Sequence, residues 1–188
     1  MRYLGETRLL TVQPFHGVDP VFSWEVGAAA ASMFGLLAKV NDPVAVPGAA
    51  WNRRRRQYRS EAFLEALAQL VQAALPGQVL LGVTKDDLFI PGLNYIFGEA
   101  DHRSGVSVIS LARLEPERGD ITAGLYRERA VKESIHELGH VFGLAHCPET
   151  TCIMHFSNTI ADTDIKGPDF CARCAAHLFQ RADKSAVS

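Results

Sequence analysis

The sequence has almost no excess of charge and no long hydrophobic run. Nineteen Lys and Arg residues stand against 21 Asp and Glu residues, which gives a formal net charge of −2. A chain this close to neutrality has no global field that would attract nucleic acid or an anionic membrane. The longest apolar stretch, residues 26–37, contains Gly27, Ser32 and Gly35 and is shorter than the about 20 residues of a membrane-spanning helix. We therefore expect neither a nucleic-acid partner nor a membrane anchor.

Cysteine is missing from the first 146 residues, and the N-terminus does not resemble a secretion signal. Residues 1–8 carry charges where a signal peptide has its apolar stretch. We therefore expect a cytoplasmic protein, in a reducing compartment where disulfide frameworks are rare. All four cysteines fall within residues 147–174. Incidental core thiols would be scattered more evenly, so this clustering indicates one shared purpose.

Strand and helix patterns alternate along the first part of the chain. The sequence predicts helices at residues 20–37 and 60–74, and strands at residues 8–12, 44–46, 79–83, 94–97 and 106–111. The nearly continuous apolar run at residues 79–83 is typical of a buried parallel strand. A short link without helical pattern joins the last two strands, which favours an antiparallel pair. We therefore predict an α/β fold with a mostly parallel twisted sheet and one antiparallel edge strand.

A histidine motif in the sequence is typical of a metal-binding site. A helix is predicted from about residue 127, and His136, Glu137 and His140 stand inside it. Two histidines four residues apart lie on one helix face, separated by roughly 6 Å of rise. Both imidazoles can then reach one tetrahedral zinc ion, and Glu137 can take a proton from a water bound to it. The alternative is a helix whose histidines simply face solvent or the core.

Gly143 and His146 extend this motif. In a straight helix, His146 would lie about 15 Å beyond His136, too far to share an ion. A glycine in the left-handed conformation at position 143 can end the helix and turn the chain back. His146 then becomes a third ligand, and three protein ligands leave one coordination position open for water, as in catalytic zinc sites. Peptide-bond hydrolysis is the reaction that fits this arrangement best.

The cysteines form two close pairs, Cys147 with Cys152 and Cys171 with Cys174. Two pairs at this separation match a structural zinc site with four thiolate ligands. Such a site would tie the segment after the histidine helix to the C-terminal segment, so that zinc contributes directly to folding. Two disulfides and four reduced core thiols are the alternatives, and a redox role for the second pair is a weaker one. The sequence thus predicts two zinc ions per chain, one catalytic and one structural.

Taken together, these residues resemble the metzincin clan of zinc peptidases, and within it the archaemetzincins. The clan signature His-Glu-x-x-His-x-x-Gly-x-x-His occupies residues 136–146 and is followed by a methionine in a tight turn beneath the metal. The archaemetzincin pattern adds the four cysteines. By this resemblance, Met154 is the methionine of the turn and Glu137 is the catalytic residue. The three histidines and the four cysteines are then the ligands of the two zinc ions.

The resemblance also implies an architecture. A twisted N-terminal sheet with its antiparallel edge strand would stand above a cleft, followed by the active-site helix and a small zinc-stabilised C-terminal subdomain. We expect the hinge at Gly143, which gives subdomains at residues 1–143 and 144–188. Clan members bind extended peptides along the edge strand. The candidates for this strand are Asn94, Tyr95, Ile96, Phe97 and Gly98.

The expected function is that of a zinc metallopeptidase in which Glu137 activates a zinc-bound water. Because the first predicted strand starts near residue 7, we expect no prodomain, and therefore a narrow cleft limited to short or unfolded peptides. We expect a monomer whose partner is the peptide substrate. The alternative is a two-zinc peptide-binding protein with little or no turnover. The arginine run at residues 53–56 is interpreted as a solvated segment, with contact to nucleic acid or to a peptide carboxylate as alternatives.

Overall fold

Five strands form the main sheet of the protein, and three short strands form a second one. The structure, a computed structural model, describes residues 9–72, 78–115 and 123–185. In chain order, the strands are β1 (Leu9–Pro14), β2 (Leu37–Val40), β3 (Trp51–Asn52), β4 (Gln57–Arg59), β5 (Val79–Thr84), β6 (Leu88–Phe89), β7 (Gly98–Asp101) and β8 (Val106–Ser110). The helices are α1 (Pro20–Met33), α2 (Ser60–Gln72), α3 (Ala123–Val141), α4 (Ile160–Ile165) and α5 (Ala172–Ser185). Within the described ranges, every helix is too short or too polar to cross a membrane.

The main sheet has the strand order β2-β1-β5-β8-β7, and the short strands pair in the order β3-β4-β6. In the main sheet, β2, β1, β5 and β8 are parallel, and β7 runs antiparallel to β8 at the edge. Leu80 and Leu81 of β5 pack into two different hydrophobic clusters, because successive side chains point to opposite faces. A strand covered on both faces is apolar throughout, which explains the continuous run at residues 79–83. The predicted α/β class, with its antiparallel edge strand, is confirmed.

Helices cover both faces of the main sheet. On one face, α1 and α3 pack against each other and share a core with the sheet. On the other face, α2 contributes Phe63 and Leu67, and the Phe63 ring meets the Phe15 ring edge to face at 4.8 Å between centroids. Gly82 makes the close approach of α2 possible, since a Cβ there would lie 2.7 Å from Leu67 Cδ1. On the first face, the edge strand β7 lies against α3, the helix that carries the histidine motif.

The second parallel strand lies earlier than the sequence predicted. Val44 forms an isolated bridge with Phe15, so the strand predicted at residues 44–46 is wrong, and β2 at Leu37–Val40 takes that place beside β1. Helix α1 ends at Met33 rather than at residue 37, because Gly35 takes a positive φ of 68° and turns the chain into β2. Burial alternates along β2 between half-buried and exposed residues, so no continuous apolar run marked it as a strand.

The edge strand lies later than predicted. Of the five candidate residues at positions 94–98, Gly98 alone belongs to β7. Ile96 pairs instead with Leu88 through an isolated antiparallel bridge. The apolar side chains of Ile96 and Phe97 are buried and therefore gave the pattern of a strand, whereas β7 itself is half-buried throughout. An edge strand with one open side does not need apolar residues, which is why periodicity misplaced it.

Candidate active site

Helix α3 brings two of the three predicted histidines together beneath the edge of the sheet. The helix packs on β7 and β8, and His136 and Glu137 are 4% and 5% exposed. His140 lies one turn after His136 on the same face, and the two ring centroids are 4.7 Å apart. The four-residue spacing thus places the two imidazole rings next to each other.

The chain after α3 turns back at Gly143, as the motif predicted. Gly143 has a φ of 83°, a conformation that glycine adopts without steric cost. The Gly143 N–H donates to the His140 carbonyl at 2.8 Å, and the Leu144 N–H donates to the Gly139 carbonyl at 2.9 Å. These two hydrogen bonds form a Schellman motif, which terminates the helix and reverses the chain. The reversal carries His146 to within 4.7 Å of His140 and 5.3 Å of His136 between ring centroids.

The three histidines offer the donor set of a metal site. His136 and His140 donate through Nδ1 to the carbonyls of Ile153 and Leu144, both at 2.8 Å. Their Nε2 atoms therefore face each other with lone pairs at 3.1 Å. In tetrahedral zinc coordination, two nitrogen ligands stand roughly 3.3 Å apart. One nitrogen from each of the three histidines falls within 4.8 Å of the others, so this set fits a zinc ion.

The environment keeps these imidazoles neutral. Burial lowers the pKa of His136 well below its ordinary value, and the nearby charge of Lys166 adds to this effect. Burial likewise lowers the pKa of His140. Although His146 is exposed, partial desolvation together with the charges of His140 and Lys166 lowers its pKa to about 4. A metal binds the neutral form of histidine, so the site is prepared for metal binding at neutral pH.

The carboxyl group of Glu137 lies directly against the edge strand. An added Cβ at Gly98 would lie 2.6 Å from Glu137 Cγ and 2.7 Å from its Oε1, so no larger residue fits there without moving Glu137. Burial raises the pKa of the Glu137 carboxyl well above its ordinary value, the charge of Glu133 adds to the rise, and Lys166 counteracts it. A buried carboxyl of high proton affinity is suited to general-base chemistry.

Met154 packs beneath the histidines against a glycine of the motif itself. It is fully buried, and its carbonyl accepts from the Cys147 N–H at 2.8 Å. A Cβ at Gly139 would overlap Met154 Sδ and would lie 3.0 Å from Met154 Cε. The glycine between Glu137 and His140 therefore creates the space that the methionine fills.

We expect Gly139→Ala to lower the free energy of unfolding by about 1–3 kcal/mol, because overpacking forces Met154 out of its place. Urea denaturation measures this change. Gly48→Ala is the matched control, since a Cβ at position 48 has no neighbour within 4 Å. Equal stability of the two variants would contradict the packing described for Met154.

The four cysteines converge at a second point, beside the first. All are free thiols, with Cys147, Cys152 and Cys174 buried and Cys171 half-buried. Their sulfur atoms lie within 4.8 Å of one another, and those of Cys147 and Cys171 are 3.7 Å apart. A disulfide bond measures about 2.05 Å, so this pair is not bonded. Four converging thiols fit the donor set of a structural zinc ion.

Hydrogen bonds at this cluster favour the thiolate form of Cys171. The Cys174 backbone N–H lowers the pKa of Cys171 to about 7, whereas burial raises the pKa of Cys152 and Cys174. Arg173 Nη2 donates to Cys147 Sγ at 3.2 Å. Metal ligation requires the thiolate, so these contacts prepare the cluster for a cation.

A cleft of about 220 Å³ opens between β7 and the segment after Met154, with the histidines and Glu137 on its floor. Tyr95, Ile96, Phe97 and Gly98 of the predicted edge strand line it. Asn94 does not, and lines a neighbouring cavity of about 290 Å³ instead. The strand was therefore misplaced by a few residues, but most of the candidate residues still border the cleft.

A buried ion pair at the cleft was not predicted from the sequence. Glu133 lines the cleft one helical turn before Glu137, and its Oε1 accepts from Lys166 Nζ at 2.8 Å and from Thr163 Oγ1 at 2.9 Å. Lys166 is fully buried. The four-residue spacing from Glu137 could have revealed Glu133, because both lie on one helix face. No local pattern distinguishes Lys166, whose partner is 33 residues away.

The opposite wall of the cleft was also missed. Phe156 is 40% exposed, and its ring lies 5.0 Å from the His146 ring between centroids. Ser157 and Asn158 continue this wall. The three residues follow Met154 in an irregular segment, where neither helical nor strand periodicity gives a signal.

Comparisons with known proteins agree with this geometry. The family model of peptidase family M54 matches residues 31–181. The archaemetzincin of Pyrococcus furiosus is 44% identical over 158 residues, which cover 82% of each chain. The archaemetzincin of Thermococcus kodakarensis is 43% identical over 136 residues, which cover 71% of this chain and 73% of the relative.

Solved structures show the same architecture. The crystal structure of archaemetzincin from Methanopyrus kandleri superimposes with a TM-score of 0.78 at 35% identity and covers 95% of this chain and 97% of that one. A zinc-dependent peptidase from Methanocorpusculum labreanum gives a TM-score of 0.80 at 26% identity, over 90% of this chain and 99% of that one. The likeness therefore extends over nearly the whole chain.

Proposed function

The chain belongs to peptidase family M54, the archaemetzincins, and is a zinc metallopeptidase. We propose that it hydrolyses the peptide bonds of its substrate with a zinc ion held by His136, His140 and His146 and with Glu137 as general base. The observation that carries this proposal is the convergence of three neutral imidazoles within 4.8 Å, with a buried carboxyl beside them. Of the two candidate metal-binding groups among the described residues, the three-histidine set has the fewer ligands, which leaves a coordination position for the reaction.

In this mechanism, the histidines hold zinc and Glu137 moves the proton. Bound zinc supplies a Lewis acid that lowers the pKa of water and polarises the substrate carbonyl. Glu137 accepts the proton of the attacking water and passes it to the amine that leaves. Its raised proton affinity favours this uptake, and the contact with Gly98 fixes the direction from which the carboxyl acts.

The contact between Gly98 and Glu137 gives a direct prediction. We expect Gly98→Ala to lower kcat/KM by about 10²-fold, since displacement of a catalytic group by about 1 Å has effects of this size. Steady-state cleavage of a fluorogenic peptide measures the loss, and zinc analysis is expected to show unchanged metal content. Wild-type activity in the variant would mean that Gly98 does not position Glu137.

We propose that Cys147, Cys152, Cys171 and Cys174 hold a second, structural zinc, which gives two zinc ions per chain. Four protein ligands close such a site to substrate, so its contribution is to folding. Because Cys147 follows His146 directly, the second site would also fix the third histidine. We place the hinge at Gly143, so that residues 144–188 form a zinc-stabilised subdomain beneath the cleft, with Met154 as one of its contacts to the active-site helix.

We propose short or unfolded peptides as substrates. A cleft of about 220 Å³ is smaller than the roughly 300–1,000 Å³ of typical ligand pockets, which favours a chain that enters in extended form. The open side of β7 can add such a chain as a further strand. We further propose that the protein acts as a monomer in the cytoplasm, where reducing conditions keep its thiols available for zinc.

Cleavage of a peptide library tests this function. Mass spectrometry of the products is expected to show hydrolysed peptides with the zinc-loaded protein, no products after treatment with 1,10-phenanthroline, and renewed cleavage after zinc is restored. Zinc-loaded protein that binds peptides without products would instead support a peptide-binding protein and contradict the proposal.

A further inference from the structure

A hydrogen bond spans the cleft at one end. The Tyr95 hydroxyl, on the edge-strand side, donates to the Asn158 carbonyl on the opposite wall at 3.0 Å. Tyr95 and Asn158 line the cavity that contains the histidines, and both also line the neighbouring cavity of about 290 Å³. The contact therefore lies at the boundary between the two cavities. We call this contact the Tyr95–Asn158 bridge.

The Tyr95 side of the bridge is held rigidly. The Arg113 guanidinium lies 4.1 Å from the centre of the Tyr95 ring, and Arg113 is itself fixed by two hydrogen bonds to Asp87 at 2.6 and 2.7 Å. The Phe97 ring meets the Tyr95 ring at 5.5 Å between centroids. Arg55 Nη2 also donates to the carbonyl of Asn94, just before Tyr95, at 2.7 Å. One arginine of the predicted solvated run thus has a structural role at the cleft.

The Asn158 side is held by the start of α4. The Asn158 N–H donates to Asp162 Oδ2 at 3.0 Å, and the Thr159 N–H donates to the same oxygen at 2.8 Å. Thr159 and Asp162 form a capping box, which fixes the entry of the chain into the helix. Because both ends of the bridge are anchored, its closed form is built into the fold.

An extended peptide cannot pass through the bridge. The two bridging oxygens are in direct contact at 3.0 Å, so no chain fits between them. A peptide paired as a strand needs about 4.7–4.9 Å between its backbone and the next one. A peptide added alongside β7 must therefore end before the bridge or break it. We propose that the Tyr95–Asn158 bridge makes Tyr95 a specificity-determining residue, which limits the number of substrate residues that bind on one side of the scissile bond.

This inference rests on the proposed peptidase activity and is tested with peptides of graded length. Each series contains one scissile bond and is extended by one to six residues on either its N-terminal or its C-terminal side. The measured quantity is the ratio of kcat/KM for the long peptide to kcat/KM for the short one, so that a general loss of activity cancels. For wild-type protein we expect this ratio to fall in one of the two series and to stay constant in the other.

Two variants distinguish the effect of the Tyr95 hydroxyl on this ratio from the effect of the Tyr95 ring. Since one hydrogen bond contributes about 0.5–1.5 kcal/mol, we expect Tyr95→Phe to raise the ratio in the affected series by about two- to twelvefold. Tyr95→Ala removes the ring as well and is expected to raise it further. Tyr58→Phe is the matched control: its ring packs on Trp51 and Phe63 and lines neither cavity, so its ratio is expected to equal that of the wild type.

The outcomes distinguish the two proposals. Equal kcat/KM at all lengths in wild-type protein, or the same length dependence in Tyr95→Phe, Tyr95→Ala and wild type, would overturn the bridge while leaving the peptidase activity intact. Absence of cleavage at every length by zinc-loaded protein would contradict the peptidase activity and the bridge together.

Discussion

Replacing Glu137 with Gln is expected to lower kcat/KM for peptide cleavage by about 10²- to 10⁴-fold while leaving zinc bound. The amide has nearly the same size as the carboxyl group, so the contact with Gly98 is preserved, but it cannot accept the proton of the attacking water. The three histidines keep their hydrogen bonds to the backbone, and the metal site is therefore expected to remain intact. Steady-state kinetics and zinc analysis of the same preparation measure both effects.

The control for this experiment is Glu128→Gln on the same helix. Glu128 is exposed, pairs with Lys132 at 2.8 Å and does not line the cleft, so its loss changes charge without touching the reacting groups. Because Glu128 lies outside the cleft, we expect near wild-type kcat/KM. If the Glu137→Gln protein is active, Glu137 is not the general base. If the variant does not bind zinc, Glu137 contributes to metal binding instead.

Replacing Cys171 and Cys174 together with Ser is expected to remove one zinc ion per chain and to lower the melting temperature strongly. Zinc bound by four thiolates contributes its binding free energy to folding, and the two remaining cysteines cannot hold it alone. These residues link α5 to the segment that carries His146 and Met154, so a loss of peptidase activity is expected to accompany the loss of stability. Thermal unfolding and metal analysis check both results.

Ala172→Ser is the matched control for the cysteine variant. It introduces a hydroxyl on the same turn of α5 without removing a thiol, and Ala172 is exposed. We expect its zinc content and melting temperature to equal those of the wild type. An undiminished zinc count in the Cys171→Ser, Cys174→Ser protein would show that the four cysteines are merely reduced thiols.

Local spacing carried most of the site prediction. The four-residue step from His136 to His140 places both side chains on one face of any helix. Gly143 is a residue that can end the helix and reverse the chain. The shared face and the reversal both follow from backbone geometry. Likewise, the uniform apolar run at residues 79–83 predicts a doubly covered strand because burial on both faces demands it. Such features depend on near neighbours in the chain and are readable in one sequence.

The parts that sequence could not predict depend on distant contacts. The pairs Glu133 with Lys166 and Tyr95 with Asn158 join residues 33 and 63 positions apart, and no periodicity links their partners. Strand β7 was misplaced because an edge strand has no apolar requirement on its open side. The walls of the cleft, which decide substrate choice, are therefore visible only in the folded chain.

The proposed catalytic site is tested most directly by an anomalous difference map at the zinc absorption edge from crystals of this protein. We expect two peaks, one at bonding distance from a nitrogen of each of His136, His140 and His146, and one among the four cysteine sulfur atoms. A fully zinc-loaded, active protein without a peak at the three histidines would contradict the proposed mechanism, because the hydrolytic metal would then lie elsewhere.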